Sequence, residues 1–146
     1  MAGKFKLQSV LNYRQALEDK AQQVLTASQQ KRAELEEQLA QQKTSLQQHD
    51  CELKQRQQDG LTIAEIDLFE SQIHHCRRLM TELRDHLEQI DQRIVCEREA
   101  LLQAAREHQV MEKLKEKQEA EYRLELSRKE RAELDEISLR NKGESS

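Results

Sequence analysis

The residues of this sequence that could carry chemistry are histidines and cysteines, which are common ligands of metal ions. His74, His75 and Cys76 are consecutive, and His49 and Cys51 form a second, looser group. Neighbouring side chains on a helix point about 100° apart, so the consecutive group cannot chelate one ion. The three cysteines of the chain also lack the paired spacing of a zinc site and are too few for a disulfide framework. We therefore predict no metal ion, no cofactor and reduced cysteines.

Motifs for catalysis are missing as well. The sequence contains no G-x-x-x-x-G-K-[ST] phosphate loop, no G-x-S-x-G nucleophile elbow and no H-E-x-x-H helix. Catalysis needs several groups that converge in a concave pocket. An enzyme is therefore the weakest hypothesis for this chain, and we turn to the elements that organise it.

The composition indicates an elongated helical protein. The 146 residues include no proline, three glycines and 3% aromatic residues, whereas 36% are charged. The formal net charge is −4, from 28 acidic and 24 basic residues, and no basic patch for nucleic acid is present. No apolar run is long enough to cross a membrane, and no secretory or lipidation signal is visible. We expect a cytosolic protein without direct membrane insertion, so that any membrane association goes through a protein partner.

A coiled-coil seam dominates the second half of the sequence. Alternating steps of three and four residues from Ile66 to Met111 visit fourteen positions, of which only Glu97 and His108 are neither apolar nor small. A repeat of 3.5 residues is what a helix needs to wrap along another helix. Glu97 and His108, like His49 on the first helix, are expected to set the register. The predicted seam residues are Ile66, Phe69, Ile73, Cys76, Met80, Leu83, Leu87, Ile90, Ile94, Leu101 and Met111.

The partner helix is expected within the same chain. Residues 5–58 show helical periodicity, with a stutter predicted near Ala21 to Leu25, where two apolar runs change phase. The periodicity stops at Asp59-Gly60, and Thr62 to Glu65 forms a capping-box pattern that starts a second helix. A link as short as 59–61 forces the two helices to lie antiparallel. The predicted fold is all-α, a monomeric antiparallel coiled-coil hairpin; an intermolecular dimer of straight helices is the rival topology.

The second helix is predicted to be the longer one. Counting outward from Gly60 places Val10 opposite Met111, so residues 62–111 are paired and residues 112–140 overhang, before a flexible tail at 141–146. Exposed leucines on the overhang would lack burial. One interpretation is a frayed, solvated terminus; the other is a helix that a partner protein receives.

The opening Phe5-Lys6-Leu7-Gln8-Ser9-Val10-Leu11-Asn12-Tyr13-Arg14, with Glu18 four residues on, resembles that of the FliJ family of flagellar export proteins. The runs 98–102, 112–114 and 133–136 also look like the second helix of that family. The resemblance implies a non-enzymatic stalk, similar to the gamma subunit of rotary ATPases. Such a stalk enters the hexameric export ATPase, contacts the export-gate membrane protein and escorts export chaperones. It would act on the cytoplasmic side of the inner membrane, in flagellum assembly, motility and chemotaxis.

The resemblance also assigns residues to these contacts. The export-gate contact matches at Gln38. The candidates for the ATPase contact are Phe5, Leu7, Val10, Leu11, Tyr13 and Arg14 on the first helix and Glu112, Lys113, Leu114, Tyr122, Leu126, Leu134 and Asp135 on the second. A generic coiled-coil spacer, and the equivalent stalk of an injectisome or another rotary ATPase, are the alternative functions.

Overall fold

Two long helices form the protein, as described by a computed structural model that covers residues 6–144. Helix α1 is Gln8–Asp59 and helix α2 is Ile63–Glu144. The helices pack against each other, and no strand occurs in the described residues. The predicted all-α helical hairpin is therefore confirmed. Without proline in the chain, nothing removes a backbone donor from the interior of either helix.

The turn between the helices depends on one glycine and one cap. Gly60 has φ of +90°, a conformation that an L side chain rarely adopts. Two residues later, the Thr62 hydroxyl accepts a hydrogen bond of 3.2 Å from the Glu65 amide, and the Thr62 carbonyl accepts one of 3.1 Å from the Ile66 amide. Thr62 is thus the N-cap of α2, the role that its spacing from Glu65 predicts.

The helix ends differ from the predicted ones by a few residues. Helix α1 begins at Gln8 rather than residue 5, and the Leu7 carbonyl accepts its first helical hydrogen bond, of 3.0 Å, from the Leu11 amide. Helix α2 runs to Glu144, so residues 141–144 are helical where a tail was expected. Lys142 in the last turn interacts favourably with the partial negative charge of the helix end.

The packing divides the chain into two compact units. The turn unit is Ala21–Ala100, and the terminal unit consists of the described parts of Met1–Lys20 and Leu101–Ser146. Among the described residues of the terminal unit, one apolar residue, Leu11, is buried, with 6% of its surface exposed. The buried apolar core of the turn unit consists of Leu25, Leu35, Phe69, Ile73, Cys76, Met80, Ile90 and Ile94.

The stutter predicted near Ala21 does not occur. From Ala21 onward the least exposed side chains of α1 follow regular steps of four and three residues, namely Ala21, Leu25, Ser28, Arg32, Leu35, Leu39, Gln42, Leu46, His49 and Leu53. Ser28 is buried and Arg32 is half-buried, so both occupy seam positions. Hydrophobicity alone could not identify these polar residues as seam residues, and the prediction was wrong for that reason.

Half-buried residues on α2 continue beyond residue 111, where the prediction places the end of the paired part. In the terminal unit, half-buried residues recur in steps of three and four at Leu101, Ala104, His108, Met111, Lys115, Gln118 and Tyr122. Every described residue from Arg123 to Gly143 is exposed. The continuously exposed segment therefore begins at residue 123, whereas the predicted overhang begins at residue 112.

Candidate interaction sites

The predicted seam residues lie at the interface between the helices. Six of them, Phe69, Ile73, Cys76, Met80, Ile90 and Ile94, are buried, and Ile66, Leu83, Leu87, Leu101 and Met111 are half-buried. At the turn end of the seam, the guanidinium carbon of Arg56 lies 6.0 Å from the centre of the Phe69 ring, within cation–π range. Their burial makes these residues structural, so binding surfaces must be sought elsewhere.

Charged residues at seam positions pair across the hairpin in the terminal unit. Arg14 Nη1 donates to Glu107 Oε2 at 2.6 Å, and Gln103 Nε2 donates to the other oxygen of Glu107 at 3.1 Å. The Arg14–Glu107 contact joins α1 to α2, and Gln103, on α2, orients the Glu107 carboxylate from its own helix.

A second network in the terminal unit surrounds His108. Its Nδ1 lies 2.6 Å from Glu18 Oε2 on α1, and its Nε2 lies 3.3 Å from Glu112 Oε1 one turn along α2. The imidazole is 15% exposed and lies within the seam, whereas Glu18 is 31% exposed and Glu112 is 54% exposed at its edge. The other two predicted polar seam residues lack such partners. His49 Nδ1 and Glu97 Oε2 are buried without a hydrogen-bond partner among the described residues.

The turn unit has an equivalent cross-helix pair. Arg32 Nε donates to Asp91 Oδ1 at 2.5 Å, and Arg32 Nη1 donates to Glu36 Oε1 at 2.5 Å. The hydrogen bond and charge of Asp91, with a smaller contribution from Glu36, raise the pKa of the Arg32 guanidinium above its ordinary value. Sequence reasoning missed these pairs. Counting from Leu35 toward the N-terminus in alternating steps of three and four residues would have placed Arg32 and Ser28 on the seam. This count is the sequence signal for the Arg32 pair.

The histidine and cysteine cluster around position 75 has no metal-binding geometry. Cys76 is buried in the seam, whereas His74 and His75 are exposed, and His75 Nδ1 lies 3.1 Å from Arg78 Nη2. Over residues 6–144, no group of three or more His, Cys, Asp or Glu side chains could hold a metal ion. Because His74, His75 and Cys76 are consecutive on a helix, they lie on different faces of α2.

The candidates for the ATPase contact on α1 divide into exposed and engaged residues. Tyr13 is 59% exposed, and Leu7 and Val10 are also exposed. Leu11 is only 6% exposed, and Arg14 is paired with Glu107, so these two residues contribute to the hairpin itself. Phe5 lies outside the described residues.

The candidates on α2 lie at the end of the seam and beyond it. Glu112, Lys113 and Leu114 are exposed, and Tyr122 is half-buried. The exposed segment from Arg123 to Gly143 presents the remaining candidates, Leu126, Leu134 and Asp135, together with Leu124, Ile137 and Leu139.

The apolar residues of the exposed segment favour one face. At 3.6 residues per turn, Leu126, Ile137 and Leu134 project within about 120° to one side of the direction of Tyr122. Leu124 and Leu139 point to the opposite half of the helix. The face of Tyr122, Leu126, Leu134 and Ile137, here called the apolar face, is the arrangement with which a helix enters an apolar groove or pore.

Gln38, the candidate for the export-gate contact, is exposed at the edge of an open groove in the turn unit. The groove has a volume of about 720 Å³ and is formed by both helices. Its apolar floor includes Leu35, Leu83 and Ile90, and glutamines and charged residues form its rim.

Within residues 6–144, neither helix has a segment long and apolar enough to span a membrane. A family model described as Flagellar FliJ protein matches residues 3–145, which is nearly the whole chain. Among curated proteins and among solved structures, none matches this chain. The matched residues include the opening motif and both helices of the hairpin. The chain therefore belongs to the FliJ family and is a component of the flagellar export apparatus.

Proposed function

We propose that the protein is a non-enzymatic stalk that inserts the exposed end of α2 into the hexameric export ATPase and promotes its assembly and activity. One observation carries this proposal. The segment from Arg123 to Gly143 is helical and each of its residues is exposed, yet it contains five large apolar side chains: Leu124, Leu126, Leu134, Ile137 and Leu139.

The energetics of that segment favour a partner. Every described residue of this helical segment, which is about 30 Å long, is exposed, and helices that bury no apolar side chains are only marginally stable in water. Burial of a leucine or isoleucine contributes roughly 1.5–3 kcal/mol. A partner protein that buries Leu126, Leu134 and Ile137 together would therefore stabilise the helix and bind it at the same time. A ring of subunits around a central pore can cover a single helix from all sides.

The exposed residues of α1 supply a second contact. Tyr13, Val10 and Leu7 lie in the terminal unit, and Glu112, Lys113 and Leu114 are exposed in the same unit. An aromatic residue beside aliphatic ones is a common anchor in protein interfaces. We assign these residues to the rim of the ATPase. Leu11 and Arg14 support them from within the hairpin.

The turn unit carries the second half of the function. There we place the contact with the export-gate membrane protein, around Gln38, and this contact couples the ATPase to the gate at the cytoplasmic side of the inner membrane. The protein also escorts export chaperones that have released their cargo. Exposed glutamines and charges suit contacts of this kind, which form and dissociate repeatedly.

ATPase stimulation is the test. Full-length protein should bind and stimulate the export ATPase, and a truncation ending at Tyr122 should melt at the same temperature without stimulating it. The matched pair Leu126→Ala/Leu134→Ala and Leu124→Ala/Leu139→Ala tests the apolar face. We expect loss of stimulation only in the first double variant.

The alternative functions predict other outcomes. If the protein is a spacer or tether, the full-length protein will not change the ATPase activity. That result would contradict the stalk proposal. Stimulation of an injectisome ATPase in preference to the flagellar one would identify the related stalk, although the matching family is described as flagellar.

A further inference from the structure

The groove beside Gln38 is about three to four helical turns long. Its α1 side runs from Lys31 to Gln42, which at 1.5 Å per residue is about 16 Å. Its α2 side runs from Leu79 to Arg93 in the opposite direction. The contact between Arg32 and Asp91 fixes the level at which the two sides meet. Both sides lie in the turn unit, so the groove belongs to one compact body.

Four aliphatic residues, Leu35, Leu79, Leu83 and Ile90, line the groove. Leu35 and Ile90 are buried seam residues and Leu83 is half-buried. Leu79 directly precedes the buried seam residue Met80 and is only half-buried, and it also lines the groove. Its side chain therefore widens the apolar strip on this side of the seam. Four aliphatic residues over three turns match the spacing of the apolar residues on one face of a helix.

The charges of the groove are separated by end. Lys31 is the neighbour of Arg32 and Arg93 lies two residues after Asp91, so both cations stand at one end. Arg93 has no ion pair within 4.0 Å among the described residues, and Lys31 approaches Glu34 only at 3.9 Å. Glu82 lies toward the opposite end, near Leu79. Gln38, His86 and Gln89 occupy the middle of the rim.

We propose that this groove binds one amphipathic helix of a partner protein, parallel to α2, with carboxylates in its last turn against Lys31 and Arg93. A helix carries partial negative charge at its C-terminus and partial positive charge at its N-terminus. The cationic end therefore receives the C-terminus, and Glu82 faces the N-terminus. The docked helix completes a three-helix coiled coil over the apolar floor.

This inference gives the class of ligand for the surface around Gln38, and the biological identity of the partner rests on the proposed gate contact. The groove itself needs neither the ATPase nor the gate protein for its test. Failure of the stalk proposal and failure of this inference can therefore be told apart.

The test uses the full-length protein and two stapled helical peptides, measured by fluorescence anisotropy. Both peptides carry leucines at positions i, i+4, i+7 and i+11. One has two glutamates in its last turn and two lysines in its first turn, and the other has these charges exchanged. We expect the first peptide to bind about tenfold more tightly, because charges and helix dipole act together. Equal affinity, or no binding of either peptide, would overturn the proposal.

Two charge reversals on α2 separate the groove from a general charge effect. Arg93→Glu should abolish or invert the preference between the peptides. Arg84→Glu makes the same change at an exposed residue that does not line the groove, and it should leave the preference intact. Melting by circular dichroism should match the unchanged protein for both variants. A preference that persists in Arg93→Glu, with the fold intact, would refute the assigned orientation.

Discussion

Arg32 and Asp91 face each other across the hairpin, with Arg32 Nε 2.5 Å from Asp91 Oδ1, although Arg32 occupies a position in the buried repeat of α1. A charged residue at such a position is tolerated because its long stem packs along the seam while its guanidinium reaches the edge. The pair fixes one register of the two helices, since a shift by one residue would separate its members.

We predict that exchange of Arg32 and Asp91 restores the stability that a single substitution removes. Arg32→Asp should lower the melting temperature by placing two carboxylates together, and the double variant Arg32→Asp/Asp91→Arg should recover most of the loss. Because the raised pKa of an arginine matters only in strong alkali, salt and not pH is the useful variable. The difference between Arg32→Asp and the double variant should shrink in about 1 M salt, where charges are screened. No recovery in the double variant would contradict the pairing.

Replacement of Ile90 by aspartate should destabilise the hairpin severely. Ile90 is buried, and an unpaired carboxylate there costs several kcal/mol, enough to threaten a protein of this size. Val95→Asp, at an exposed position of the same helix, is the control and should change the melting temperature little. Circular dichroism melting measures both. Equal melting temperatures for the two variants would show that Ile90 does not face α1.

Gly60 should tolerate alanine worse than Gly143 does. A Cβ added at either glycine meets no atom within 4 Å, so sterics with neighbours cannot separate the two substitutions. The difference is conformational: Gly60 has φ of +90°, whereas Gly143 is helical. We expect Gly60→Ala to cost about 1 kcal/mol and Gly143→Ala to be neutral or slightly stabilising. Chemical denaturation reports both values, and a neutral Gly60→Ala would argue against this turn.

Replacement of both Glu18 and His108 by leucine should increase the stability of the hairpin. The pair is half-buried in the seam, and a well-packed apolar pair is often more stable than a buried polar one. We predict that Glu18→Leu/His108→Leu raises the free energy of unfolding by about 1–3 kcal/mol. Glu18→Leu alone should lower the free energy of unfolding, because His108 then stays in the seam with Glu112 as its remaining partner. A double variant that melts below the unchanged protein would show that the network is a net source of stability.

Predictability from sequence varied with the kind of interaction. The turn at Gly60 and the cap at Thr62 are local, since each depends on residues within a few positions, and both could be predicted. The apolar half of the seam was equally accessible, because its 3.5-residue repeat is carried by side chains that have no other stable place. The start of the continuously exposed segment was not, because Lys115 and Gln118 are half-buried although they are polar.

The sequence by itself determined the all-α hairpin, the position of its turn and the family to which the chain belongs. Only the tertiary structure decided which charged residues belong to the seam, because Arg14, Glu18 and Arg32 are polar in any count and find Glu107, His108 and Asp91 only after the helices pair. It also decided that Leu11 is buried while Tyr13 is exposed, and that Leu79 and Arg93 share one groove. Such features depend on residues far apart in the chain, and their distances exist only in the folded hairpin.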